Sequence, residues 1–374
     1  MRATRSRSIC FVHLAIFVSF IALLCCNASA AKADPPPRER LSMDQHWRFL
    51  LGDPADAAKP DFNDSAWRQV ELPHDWSIEG QFDPKAPTGG AGGFLPTGVG
   101  WYRRAFDASE EWRGRRVNVV FDGVYMNADV FLNGEKLETH PYGYTSFPVD
   151  LTGHLKIGQP NLLAVRVDNS QQKNTRWYSG SGIYRHVWFD LSGPIHVAGD
   201  VGRGVFFATT AASRESATVP AQITVRNDST AKTSIIVQTA LLTPDGEPAG
   251  QSESKKDVDA GASAVVNDDI AVPQPQLWSP QTPQMYRAIT RILSGGAVVD
   301  QEETAVGIRM LRWSATGGIA INGQTVKLCG GCAHHDNGPL GSAAFDRAPR
   351  QETGCDRMGL RPGRRKLDLA RAGR

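Results

Sequence analysis

The sequence predicts an all-β fold, two sandwiches in tandem, on three observations. Short apolar or alternating runs recur along residues 41–308. Turn pairs such as Asn133-Gly134 and Gly295-Gly296 punctuate them, and no amphipathic helical period intervenes. Glycine (37 residues) and proline (23 residues) are raised, as many short strands joined by turns require.

Residues 41–198 make the first unit. Val117–Phe121 and Ala128–Leu132 are apolar strands, and Asn133-Gly134 closes a hairpin because both residues tolerate positive φ. Asn161–Val167 and His186–Leu191 alternate on one face. Strands at this spacing predict a sandwich or jelly roll. Residues 199–308 make the second unit. Ala221–Arg226, Ser234–Leu242 and Tyr286–Ile292 read as strands, Asp245-Gly246 as a turn, and Gly295-Gly296 turns into Ala297–Asp300. About seven strands over about 110 residues fit an immunoglobulin-like sandwich.

Residues 309–348 begin a third segment. Ile319–Ile321, the turn Asn322-Gly323 and Thr325–Leu328 form a small hairpin, followed by Gly-Gly-Cys-Ala-His-His-Asp-Asn-Gly over 330–338. Residues 349–374 are basic, have no helical or strand period, and read as disordered or as an artefact.

The ends also colour the composition. Three arginines, an apolar run from Ile9 to Cys26 and then Ala28-Ser29-Ala30 read as a cleaved secretory leader over residues 1–30, with a proline-bearing linker over 31–40. The protein is therefore expected outside the cell or in the periplasm. No later stretch is long and apolar enough to span a bilayer. Between the ends, residues 31–348 carry 30 Lys+Arg against 36 Asp+Glu, so the net charge of +2 hides a mildly acidic body. That argues against a nucleic-acid partner. Cys329 and Cys332 have C-x-x-C spacing, but no second pair and no βαβ pattern accompany them, so packed cysteines are the expected reading.

Eight motifs then occur in one order: Leu72-Pro-His-Asp-Trp76, Gly100-Trp-Tyr-Arg-Arg104, Phe121-Asp-Gly-Val-Tyr125, Asp129-Val-Phe-Leu-Asn-Gly134, Arg176-Trp-Tyr-Ser-Gly-Ser-Gly-Ile-Tyr-Arg185, Leu277-Trp-Ser-Pro280, Gly307-Ile-Arg309 and His334-His-Asp-Asn-Gly338. Together they resemble glycoside hydrolase family 2, its bacterial β-galactosidases above all. The resemblance implies a sugar-binding jelly roll, an immunoglobulin-like sandwich and a TIM barrel, with a β-galactoside-type carbohydrate as ligand. It also implies retaining hydrolysis, in which one glutamate protonates the leaving oxygen and a second attacks, about 5 Å away.

No such pair carries over onto this sequence, so no catalytic acid or nucleophile is assigned. His334 matches the histidine that the family places after the first barrel strand, against the sugar's hydroxyls; His335 and Asp336 are adjacent candidates. Asp75 and Arg176 either fix sugar hydroxyls or form a salt bridge tying the jelly roll to the barrel. Trp76, Trp101, Trp177 and Tyr178 are the aromatics available for stacking, with Trp101 and Trp177 read as core. No cofactor is expected on this chain; Mg²⁺ or Na⁺ in relatives is held by ligands not present here. The oligomeric state is left open.

The resemblance stops at Ala343-Ala-Phe-Asp-Arg-Ala348, which suggests a frame slip near Arg347 and an inactive, truncated enzyme. Residues from about Leu311 onward are then expected to be poorly ordered, because a lone hairpin leaves apolar edges uncovered. Two other readings stand beside this one. A carbohydrate-binding module would show a row of exposed aromatics, and none is identified. A protein-interaction module would keep the sandwiches alone.

Overall fold

The computed structural model of the chain describes residues 37–199, 204–328, 330, 334 and 336–346. The proposed leader, Cys329, Cys332, His335, Cys355 and the basic tail lie outside the described residues. Within them the fold is all-β, and the only helices are single 3₁₀ turns at Ser77–Glu79, Gly90–Gly92, Glu110–Trp112 and Gly338–Leu340.

The first sandwich packs a six-stranded sheet on a four-stranded one. The larger orders Arg68–Val70, Trp47–Leu51, Val99–Asp107, Pro160–Asp168, Ala128–Leu132 and Glu135–His140. The smaller orders Arg38–Ser42, Val187–Ser192, Arg116–Phe121 and Phe147–Asp150. All pairs are antiparallel, and the non-sequential order is that of a jelly roll. Period-2 alternation drives Trp47, Phe49, Val119, Phe121, Val130, Leu163, Val165 and Phe189 into one core between the sheets. The expected Asn133-Gly134 hairpin is present, with φ of 53° and 89°.

The second sandwich pairs Ser216–Asn227 with Ala262–Pro273 along their full lengths, flanked by Ile195–Val197, Val205–Phe207 and Ala211–Ala212. Its other sheet orders Pro248–Val258, Thr233–Leu242, Tyr286–Ser294 and Ala297–Val306. Val219, Ile223, Val225, Ile235, Val237, Leu241, Ile270 and Ile292 fill its core, the immunoglobulin-like arrangement.

An ion pair joins the sandwiches. Asp300 is fully buried and receives Arg38 in bidentate fashion, Nε to Oδ1 at 2.9 Å and Nη2 to Oδ2 at 2.7 Å. The same carboxylate accepts from the backbone N–H of Val197 (2.7 Å) and of Gln301 (2.9 Å). Arg38 also reaches Glu302 (2.9 Å) and donates to Val197 O (3.2 Å). Every lone pair and fork is used, the condition under which a buried pair is tolerated.

The third segment departs from expectation. Leu311–Ser314, Gly318–Ile321 and Gln324–Thr325 form a three-stranded sheet. Asn322 anchors it: its backbone N–H bonds Met310 O (2.9 Å), its Oδ1 accepts from Met310 N (3.0 Å), and its Nδ2 donates to Trp278 O (3.0 Å). Leu311, Trp313 and Leu328 remain exposed, the uncovered apolar surface a lone hairpin was expected to leave. Residues 336–346 then return to the first sandwich instead of hanging free, for reasons given below.

Asp300→Ala removes the bidentate partner of the half-buried Arg38 and strands the buried Val197 N–H. Urea unfolding is expected to show a loss of about 3–5 kcal/mol; a loss under about 1 kcal/mol means the clamp is dispensable.

Candidate functional site

Backbone bonds from His74 N to Ile183 O (2.9 Å) and from Trp76 N to Ser181 O (3.1 Å) hold the Leu72–Trp76 loop against the Arg176–Arg185 motif. Asp75 is thereby trapped between them, 3% exposed. Its Oδ1 accepts the backbone N–H groups of Ser77 (3.0 Å) and Ser181 (2.9 Å). Its Oδ2 accepts the Tyr178 hydroxyl (2.5 Å) and both the N–H (2.8 Å) and the hydroxyl (3.0 Å) of Ser342. Five donors saturate the buried carboxylate.

Two glycines leave room for this packing. A Cβ on Gly180 or on Gly341 would lie 2.4 Å from Asp75 Oδ2, and both residues sit at positive φ, +67° and +57°. Burial, then the charge of Asp75 and the bond to it, hold the Tyr178 phenol well above its usual pKa, so it stays a donor.

Buried Asn169 braces the same motif. Its Nδ2 donates to Gly180 O (3.0 Å) and Ser181 Oγ (2.8 Å), and its Oδ1 accepts from Gln172 Nε2 (3.0 Å) and Asn174 Nδ2 (2.7 Å). Between this loop and Thr88–Thr97 lies a crevice of about 20 Å³, room for little more than one water. A larger groove of about 830 Å³ runs between the outer face of the four-stranded sheet and the second sandwich. Charges there serve one another: Arg40 lies 3.5 Å from Asp122 and 3.4 Å from Asp190, and it covers the Trp188 ring at 4.7 Å.

Near the Asp75 node the described candidates are exposed. His334 is exposed, its ring centred 5.1 Å from that of Trp177. Exposed Asp336 accepts from Gly338 N (3.2 Å), and its charge contributes to raising the Tyr178 phenol. Arg176, next to Trp177, is exposed and makes no hydrogen bond or ion pair among the described residues. His335 lies outside the described residues.

Asp75 differs from both alternatives the sequence allowed. It forms no salt bridge among the described residues, since all five donors are neutral, and it sits beneath the surface rather than on it. The link to the third segment is nevertheless real, made by Ser342. Trp76 and Trp101 are buried, as is most of Tyr178. Trp177 is not core but 39% exposed, because it rides a loop and its Nε1 donates to the Tyr144 hydroxyl (3.1 Å) at the surface. Sequence reasoning missed Asn169, Tyr144 and Ser342; for Ser342 the signal was the small-residue run Gly341-Ser-Ala-Ala344, which allows close approach.

His74, without a role in the sequence, has one here. Its Nδ1 meets the buried Tyr102 hydroxyl (2.7 Å), and its Nε2 lies 3.2 Å from Glu79 and 3.1 Å from Arg68. Burial alone would raise the Glu79 pKa, but the hydrogen bonds from His74 and Arg68 outweigh it and bring it to about 2.

Comparison with known proteins gives a consistent picture. Residues 41–196 match the model for the sugar binding domain of glycosyl hydrolases family 2, and residues 200–309 match a second model of glycosyl hydrolases family 2. The chain is 43% identical over 326 residues to the β-galactosidase BoGH2A of Bacteroides ovatus, covering 86% of this chain and 38% of that protein. It is 35% identical to a putative β-glucuronidase of Formosa agariphila, covering 82% of this chain and 28% of that protein. The crystal structure of a glycosyl hydrolase family 2 member from Bacteroides cellulosilyticus superposes with a TM-score of 0.80 at 39% identity, covering 84% of this chain and 41% of that one. The chain thus spans less than half the length of each of these relatives.

A pH dependence follows from Glu79. Its folded pKa of about 2 lies below the ordinary 4.5, so its contribution is present above pH 4.5 and is lost as pH falls toward 2. Because the carboxylate is more than a third exposed, screening reduces that contribution to about 1 kcal/mol. Thermal melts of wild type and Glu79→Gln should converge as pH drops through this window; parallel curves would contradict the network.

Proposed function

The chain belongs to glycosyl hydrolases family 2, and on that premise we propose that it forms the sugar-facing front of a β-galactosidase-like glycoside hydrolase. The observation that carries the reading is exposed His334 against the Trp177 ring, with Asp336 near enough to act on Tyr178 and the Asp75 node; Arg176, exposed and next to Trp177 in the chain, is placed with them in this proposal. A histidine donates and accepts at vicinal hydroxyls, a carboxylate accepts, and a guanidinium donates from a fork. His335 joins this set in the proposal, and Asp75 acts through Ser342 and Tyr178 as a positioning residue. The binding uses protein groups alone, with no metal or cofactor.

Retaining hydrolysis needs two carboxyl groups about 5 Å apart across the glycosidic bond. Among the described residues Asp75 is saturated, and Asp336 has no second carboxylate at the cluster to act with. We therefore propose that the chain in this form binds glycosides without cleaving them. Export through the leader of residues 1–30 belongs to the same proposal. A β-glucuronide is the second reading: Arg176 is an exposed cation with no partner among the described residues, and the Formosa relative carries the name glucuronidase.

Calorimetric titration of the purified chain separates these readings. Methyl β-galactoside is expected to bind with a dissociation constant on the order of 1 mM, weakened at least about tenfold in His334→Ala, with no turnover of p-nitrophenyl β-galactoside. Preference for methyl β-glucuronide supports the second reading. Binding of neither sugar sinks both, and measurable turnover sinks the claim of binding alone.

A further inference from the structure

An aromatic ladder climbs out of the first sandwich beside the candidate site. At its foot Tyr125 is buried, with its hydroxyl bonded to Asn174 Oδ1 (3.3 Å). Tyr144 packs edge-on against it, with centroids 5.2 Å apart and planes at 63°. Tyr142 packs in turn on Tyr144 at 5.6 Å and 68°. Trp177 meets the same Tyr144 through its indole N–H, and its ring faces His334. One half-buried tyrosine therefore buttresses two outward aromatics, Tyr142 at 56% exposure and Trp177 at 39%.

The arrangement is fixed rather than incidental. Gly143 passes between the two tyrosines, where a Cβ would lie 2.3 Å from the Tyr125 ring, and its carbonyl accepts from the Tyr184 hydroxyl (2.9 Å). Opposite, Ser179 Oγ bonds the Tyr144 hydroxyl (3.1 Å) and Thr175 Oγ1 (3.0 Å), and Thr175 Oγ1 donates to Trp177 O (2.7 Å). The Trp177 indole and its Tyr144 buttress are held by side-chain hydrogen bonds, and Tyr142 rests edge-on against that buttress, which lowers the ordering entropy that opposes a ligand. Exposed aromatics on a rigid support, continuous with a cluster of hydroxyl-binding groups, suit a ligand with an apolar face and a polar rim.

We propose that Tyr142 and Trp177, on their Tyr144 buttress, form a second sugar subsite that stacks the pyranose next to the one held at His334. The inference rests on the glycoside-binding reading above and deepens it, because it makes the ligand a β-linked oligosaccharide rather than a monosaccharide glycoside. Pyranose rings present a C–H face that packs on the electron-rich aromatic face, while their equatorial hydroxyls point to the rim. Arg176, exposed, precedes Trp177 in the chain. The Tyr142 hydroxyl, which has no protein partner among the described residues, is free to meet sugar hydroxyls.

The test titrates the full chain with methyl β-galactoside and with β-linked galacto-oligosaccharides of two to four units. Affinity is expected to rise about tenfold from one ring to the oligomers. Tyr142→Ala should erase that gain while leaving methyl galactoside affinity within about twofold; Trp177→Ala should erase it too and, because its ring packs on His334, should also weaken methyl galactoside. Tyr142→Phe and Trp177→Phe should keep most of it, which separates stacking from a loss of fold. Oligomers that bind no tighter than methyl galactoside, or a gain that survives both alanine variants, overturn the subsite and leave the glycoside-binding reading standing. If no sugar of any length binds, that reading falls and the subsite with it.

Discussion

The Asp75 carboxylate is the constraint on which the candidate site depends. It draws donors from three places in the chain, the loop at 75–77, the motif at 178–181 and Ser342, which lies 267 residues away. A buried carboxylate missing even one of several such bonds is costly, so these segments are ordered together or not at all. Residues 336–346 are tied to this node through Ser342. The face of Trp177 depends on it too, because Gly180 and Tyr178 fix the run that carries it.

Two further devices make the node possible. The jelly-roll core holds the strands from which both loops spring, and Asn169, at the end of Pro160–Asp168, ties the second loop to its own backbone. The Arg38–Asp300 clamp sets the second sandwich against the first. Asn169 and the Asp300 carboxylate each bond their buried polar atoms fully, which is the condition for polar order inside an apolar fold.

Much of the fold was legible in the sequence because it is local. Alternation placed Val117–Phe121 and Ala221–Arg226, and Asn133-Gly134 and Asn322-Gly323 named their own turns through positive φ. The motifs at 72–76 and 176–185 marked the right loops. What those loops do was not legible, since it depends on contacts between segments remote in sequence. Trp177 looked like core because tryptophan usually is; only the packing on Tyr144 turns it outward. Residues 336–346 looked unsupported because Ser342, which ties them down, carries no distinctive side chain, only small neighbours that let it reach Asp75.

Hydrogen exchange on Asp75→Ala measures the central claim most directly. The account predicts that the Ser77, Ser181 and Ser342 amides lose protection together and that residues 336–346 exchange as a freed segment, while strands Ser216–Asn227 and Tyr286–Ser294 keep theirs. Unchanged protection at Ser342 would contradict it and would mean that the third segment is held by something other than this carboxylate.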